Sequence, residues 1–369
     1  MKYAGKLAIQ QRVLPTYRVE FFDLLAQQCQ SGLSVFAGNP LLCEEIKTAD
    51  KMNIARYSKA INWHVGKPGQ RLFLCWQWGV VRWLREWDPD VLIVEANPRY
   101  LSTRLAVSWM HKRKRVVIGW GLGKGEGDVS KKGWIEKERE RFIRSLDGII
   151  SYSHKGALSY NQLGIPKERI FIAPNATSAK PNKPIPSRNY NLKMKTVLFV
   201  GRLQHRKKVD ILIDACAKLP DELQPQLVIV GDGEARKYFE DIAREKYPKT
   251  LFTGSCYGAQ LEKWFEEAHL FVLPGTGGLA AQQALGYGLP IIVAEGDGSQ
   301  EAFVNVHNGW QVAPNNIESL HLALKEALSD PERLRKMGEE SYRIASEEVN
   351  IEKMVESFLN AVTTIKPKS

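Results

Sequence analysis

At 369 residues the chain is too long for one ordinary core, and 44% hydrophobic against 25% charged residues leaves little room for extended disorder, so two folded domains are expected. Neither a spanning helix nor a disulfide framework is expected, because no run of about 18 apolar residues occurs and the five cysteines are scattered, odd in number and never spaced C-x-x-C. The net charge of +11 is uneven: residues 1–180 carry 29 Lys+Arg against 16 Asp+Glu, and residues 181–369 carry 23 against 25. A half this basic fits an anionic partner (lipid headgroups, a phosphate-bearing acceptor or nucleic acid) or a solvated basic face.

The elements follow in chain order. A first strand is predicted at residues 7–9, a helix at 19–28 and a strand at 33–36. Phe73, Trp76, Val80, Trp83 and Trp87 recur at helical spacing, which predicts a helix over 71–87 with its aromatic stripe in the core. Asp88-Pro89-Asp90 stops it, and a buried strand follows at 91–94. A helix at 101–112, a strand at 116–118, a glycine-rich loop, a charged helix at 131–146 and a strand from 148 continue the alternation. Pro181, Pro184 and Pro186 among polar residues mark residues 180–193 as an interdomain linker. Beyond it, strands are predicted at 196–200, 226–230, 270–273 and 290–293, with helices at 209–218, 234–246, 279–287 and 317–328. A last helix at 351–364 is expected to fold back on the first domain. The reading is α/β: two doubly wound, Rossmann-like parallel-sheet domains facing a cleft, residues 1–185 and 186–350, with 351–369 as the returning helix.

Two segments carry chemistry. In Phe199-Val200-Gly201-Arg202-Leu203-Gln204-His205-Arg206-Lys207-Lys208-Val209-Asp210 a strand ends at glycine, and Arg202 and Lys207 precede a helix start. A diphosphate there would meet a guanidinium, an ammonium and a helix N-terminus. In Leu273-Pro274-Gly275-Thr276-Gly277-Gly278-Leu279 three glycines between a strand and a helix offer backbone groups to an anion or a hydroxyl. No G-x-G-x-x-G occurs in this segment, so a dinucleotide fingerprint is not read.

The order of F-V-G-R-L-x-x-x-K-x-V-D, L-V-I-V-G-D-G, the glycine at Gly254, P-x-x-x-G-L with Q-A-x-x-x-G-L-P, and residues 301–309 resembles the family-4-type (group 1) retaining glycosyltransferases of the two-Rossmann-domain (GT-B) architecture. The resemblance is close over residues 195–315 and looser at residues 11–18 and 172–175. It implies a metal-independent hexosyltransferase that takes a UDP- or GDP-type nucleotide sugar as co-substrate, with no resident cofactor. Arg202 and Lys207 would grip the donor diphosphate after Gly201, and Gly254 and Tyr257 would border the base. Gly277, Gly278 and Leu279 would approach phosphates and sugar, with Gln283 and Glu301 completing the donor site. The family's two glutamates fall at Gly275 and Gln283, so neither is kept, and Trp120-Gly121-Leu122-Gly123 stands where the family has a histidine. Glu95, after a predicted strand, and Glu126 or Asp128, in the glycine-rich loop, are the carboxylates expected to orient an acceptor hydroxyl. His205 stands inside the phosphate motif and is a further candidate.

The acceptor is expected to be a glycan, a lipid-linked sugar or a small molecule. The protein is expected in the cytoplasm, with peripheral contact to an anionic membrane through Lys112-Arg113-Lys114-Arg115 and Lys131-Lys132-Gly133-Trp134. Nucleic acid is not expected, since no binding module is readable. A glycosyltransferase-like scaffold without catalysis is the competing reading, carried by the two missing glutamates.

Overall fold

The computed structural model describes residues 2–44, 46–67, 73–123, 134–295 and 303–367. The chain divides into two compact units, Met1–Thr177 with Ile351–Ser369, and Ser178–Asn350.

The first unit begins with β1 (Leu7–Val13), α1 (Val19–Gln27), β2 (Leu33–Gly38), β3 (Arg56–Lys59), β4 (Ile61–Val65) and β5 (Leu74–Trp78). It continues through α2 (Val80–Trp87), β6 (Val91–Glu95), α3 (Leu101–His111), β7 (Val116–Gly121), α4 (Trp134–Arg144), β8 (Gly148–Ser151), α5 (His154–Gln162) and β9 (Ile170–Ile172). Among the described residues, a parallel sheet runs in the order β3-β2-β1-β6-β7-β8-β9. Its central strands β6 and β7 are buried apolar runs, as a sheet covered on both sides requires, whereas the edge strand β3 is polar and partly exposed. Leu7, Ile9, Ile93 and Ile118 face one core with Phe21 and Phe22 of α1, while Ala8, Leu92, Val94 and Val117 face the other with Trp83 and Met110.

The helix predicted over 71–87 is two elements. Gly79, at φ 87°, turns the chain between β5 and α2. Spacings of three and four residues among aromatics fit a helix, but the alternation Leu74-Cys75-Trp76-Gln77-Trp78 fits a strand equally well, and pairing with β4 decides it. Cys75 and Gln77 face inward, whereas Trp76 is only half-buried and Trp78 is exposed, so part of the aromatic stripe is not core.

The second unit contains β10 (Thr196–Val200), α6 (Val209–Ala217), β11 (Gln226–Val230), α7 (Arg236–Lys246), β12 (Thr250–Gly254) and α8 (Ala259–Glu267). There follow β13 (Leu270–Leu273), α9 (Leu279–Gly286), β14 (Ile291–Ala294), β15 (Gly309–Val312), α10 (Ile317–Ser329) and α11 (Pro331–Glu347). Among the described residues its sheet is also parallel, in the order β12-β11-β10-β13-β14-β15, so the order reverses between β10 and β13. The proline-rich segment is not a free tether. Tyr190 is buried in this unit's core, Arg188 donates to the carbonyls of Phe265 and Tyr287, and the Tyr342 hydroxyl donates to the Lys183 carbonyl. The division therefore falls at Thr177/Ser178, before the prolines. The last helix, α12 (Ile351–Thr364), packs on α1, β8 and β9 of the first unit.

Candidate functional site

In the second unit the two glycine-bearing segments meet at the switch between β10 and β13, where ligands of open α/β sheets bind. After β10, residues His205–Lys207 form a tight turn and Lys208, at φ 57°, caps α6. After β13, the chain crosses Gly275–Gly278 and enters α9. Lys207 Nζ donates to the Thr276 carbonyl at 2.6 Å, and Arg206 Nη1 donates to Thr276 Oγ1 at 3.0 Å. The Thr276 N–H points back to the Arg206 carbonyl at 3.4 Å. The half-buried Lys207 ammonium is thus fixed at the start of α9, where the helix dipole is positive. Burial, with a smaller push from Arg206, lowers its pKa from 10.5 to about 8.

Two glycines let the loops approach this closely. A Cβ at Gly275 would stand 2.4 Å from the Arg206 carbonyl oxygen and 2.6 Å from the Lys207 carbonyl carbon. One at Gly277, which has φ 127°, would stand 2.5 Å from Lys207 Nζ. The position where the family carries its first glutamate therefore has no room even for a methyl group.

The other residues expected on the donor side fall as follows. Gly201 ends β10, donating its N–H to the Val230 carbonyl, and Arg202 is exposed just beyond it. Gly254, at φ 75°, ends β12 and accepts from the Gly231 N–H, so Gly254 and Gly201 flank the end of β11. Tyr257 is 78% exposed in the loop before α8, and Leu279 is exposed in the first turn of α9, after Gly278. Gln283 lies one turn further along α9, half-buried, and lines a cleft of about 260 Å³ with Pro181, Glu262 and Tyr287. His205 turns away from the loop pair: its ring packs on Tyr238 and Phe239 of α7, with centroids 5.0 and 6.1 Å away. Glu301 lies outside the described residues. Arg206 and Thr276, which join the loops, carry no distinguishing sequence signal; they sit 70 residues apart, and only the fold pairs them.

In the first unit, polar groups gather where β1 and β6 end. Glu95, the last residue of β6, accepts the Arg12 N–H at 3.0 Å. Burial pushes its carboxyl above the usual range, opposed by the Arg12 N–H and guanidinium, Tyr100 and Arg18. The Arg12 fork is occupied by Glu44, at 2.8 and 2.5 Å. Arg18 is buried, donates to the Ala176 carbonyl at 3.2 Å and lies 5.1 Å from the centre of the Trp120 ring. Trp120, in the segment that stands where the family has a histidine, packs against Phe21, Tyr152 and Phe358 as a core residue. Sequence spacing could not reveal Arg12, Glu44 or Arg18, whose partners are 32 or more residues away. Glu126, Asp128, Lys131, Lys132 and Gly133 lie outside the described residues. Among the described residues no group of three or more His, Cys, Asp or Glu side chains is placed to hold a metal ion.

A chain with two parallel, doubly wound units of this kind has the two-Rossmann-domain glycosyltransferase architecture. The UDP complex of Anabaena HepE superposes with a TM-score of 0.71 at 15% identity, over 99% of this chain and 100% of that one. Residues 183–344 match the family described as "Glycosyl transferases group 1". An uncharacterized glycosyltransferase of Methanocaldococcus jannaschii is 33% identical over 141 residues, 37% of this chain and 36% of that protein. The glycogen synthase of Mycobacterium tuberculosis is 30% identical over 265 residues, 67% of this chain and 62% of that protein. The chain thus covers less than two thirds of either relative.

Proposed function

We propose that the chain transfers a glycosyl group, with retention, from a nucleoside-diphosphate sugar to an acceptor hydroxyl. The observation that carries this is the joined loop pair, in which the Lys207 ammonium and the Arg206 guanidinium are held against Thr276 in the loop just before α9. Charge builds on the leaving diphosphate as the glycosidic bond breaks, and cations already fixed in place stabilise it without reorganising. Lys207 is the central donor to that diphosphate, with Arg202 as the second cation and the Gly277-Gly278 backbone beside the phosphates. UDP is the first nucleotide to test, because HepE holds UDP; GDP is the second. The donor is a co-substrate, and no resident cofactor enters the reading.

With no glutamate at Gly275 or Gln283, sugar hydroxyls would be held by loop backbone and the Gln283 amide. Glu95 is the acceptor-side carboxylate of this reading, and the acceptor is a hydroxyl on a glycan, a lipid-linked molecule or a small molecule. Membrane contact is then peripheral, at a cytoplasmic face. Calorimetric titration of UDP and GDP tests the donor site. Arg202→Ala and Lys207→Ala should each weaken the nucleotide that binds by about ten- to hundredfold, the worth of one charge-assisted contact. Release of nucleoside diphosphate from a panel of nucleotide sugars tests turnover. Unchanged affinity in both variants removes the assignment, and binding without turnover would leave a scaffold.

A further inference from the structure

The β4–β5 hairpin presents an apolar face that the first unit does not use. Its cross-strand pairs Ile61–Trp78, Trp63–Trp76 and Val65–Leu74 share one side. Ile61 is 71% exposed, Trp63 60% and Trp78 61%, and Trp76 and Trp78 meet edge to face at 5.9 Å. Single exposed apolar residues are ordinary, but three tryptophans and three aliphatic side chains together on one small sheet are not. Leu101 and Leu105 are also exposed, on α3, which packs beside β5. From Ile54 to Arg85 the sequence holds six Lys or Arg and no Asp or Glu. Lys59 and Lys67, both exposed, flank β4.

We propose that this hairpin face is a membrane-docking surface that seats the first unit in the headgroup region of an anionic bilayer. Tryptophan settles at that depth because its ring is apolar and its N–H stays wet, while neighbouring cations meet anionic headgroups. A second copy of the chain fits less well, since a half with a net charge of +13 would meet its like. A soluble glycan fits less well too, because Ile61, Val65 and Leu74 offer a sugar no hydrogen bond.

The other side of the hairpin ties this surface to the acceptor cluster. Gln77 Nε2 donates to the Gln11 carbonyl at 3.0 Å, and Asn62 Nδ2 donates to the Arg12 carbonyl at 2.7 Å. A headgroup held at the outer face would lie one strand-thickness from the end of β1, where Arg12 meets Glu95. The inference rests on the reading that the acceptor is lipid-borne. It moves the contact away from Lys112 and Lys114, which precede β7 at the edge where the sheet's strands begin. There Arg115 is paired with Asp88 and Arg113 lies over Trp109.

The test is sedimentation of the full chain with phosphatidylcholine vesicles, with and without phosphatidylglycerol. Binding should need the anionic lipid and fall as salt shortens the screening length from about 10 Å at 0.1 M to about 3 Å at 1 M. Trp63→Ser with Trp78→Ser should weaken it by about tenfold or more, since both rings lose their apolar contact. Lys112→Gln with Lys114→Gln should leave it unchanged. Should the serine variant fail to fold, brominated phosphatidylcholine mixed with phosphatidylglycerol should quench the tryptophan fluorescence of the parent chain more than that of Trp63→Phe with Trp78→Phe. Absence of vesicle binding, full binding by the folded serine variant, or equal quenching would overturn the proposal. So would a parent dimer, or binding of a soluble glycan, that the serine variant loses while vesicle binding persists. UDP titration of each variant separates the two readings: vesicle binding without UDP binding removes the donor assignment alone, and the reverse removes the docking surface alone.

Discussion

Lys207 meets two opposing demands: its ammonium must be held by backbone to be positioned, and that burial makes the charge costlier to keep. The balance is a pKa of about 8 in the free protein, well under the ordinary 10.5. A diphosphate placed against it favours the protonated form, so binding should take up a proton whenever the free group has lost it. The sign follows directly. Affinity for the nucleoside diphosphate should be flat below pH 8 and fall by up to about tenfold per unit above it, until the pKa of the bound form is reached. Titrations at several pH values in buffers of different ionisation enthalpy would read both the affinity and the proton uptake. An affinity independent of pH between 7 and 10 (a range of about three units) would mean that Lys207 does not touch the diphosphate.

At the scale of elements, the loop pair shows why a familiar motif can be occupied differently. Gly275 allows the segment after β13 to lie against residues 206–207, and a side chain there would collide with backbone, which cannot rotate aside. Gly275→Glu, which places the family's residue back in its position, should therefore weaken nucleotide binding by about tenfold or more instead of improving transfer. Calorimetry and a nucleotide-release assay check it; a faster variant would show that the loop shifts readily and that the missing carboxylate limits the reaction.

The strand–helix rhythm was legible because buried parallel strands are short apolar runs, such as Val91–Glu95 and Thr196–Val200, and the helices between them are amphipathic. Residues 71–87 were not, because aromatic spacing fits both periods and only pairing with β4 selects the strand. Arg202 and Lys207 were legible as a basic pair after a strand because that segment is continuous in the sequence. The Arg206–Thr276 contact and the Arg12–Glu44–Glu95 cluster were not, because each joins residues that only the folded sheet brings together. His205 was misleading for the opposite reason, sitting in the right segment with its ring turned onto α7.

At the scale of the whole molecule, the chain leaves its first unit at Thr177, builds the second, and returns at Ile351. The returning helix is not a decoration. Ile351, Met354, Val355, Phe358, Leu359 and Val362 of α12 are all buried in the first unit's core, and Phe358 packs edge-on against both Phe21 and Trp120. Burying six such side chains contributes about 1.5–3 kcal/mol each, about 9–18 kcal/mol as an upper bound, which is comparable to the whole stability of an ordinary domain. A chain ending at Asn350 should therefore lose the first unit's cooperative melting transition. The second unit keeps all of its own core, from Tyr190 to Val349, and its joined loops. The same truncated chain should accordingly still bind the nucleotide that the full chain binds, within about twofold, with the remaining transition raised by that ligand. Calorimetric melting with and without UDP or GDP separates the outcomes. Loss of both transitions would mean that the second unit depends on the first for its fold, and retention of both would mean that α12 lends the first unit far less than its burial implies.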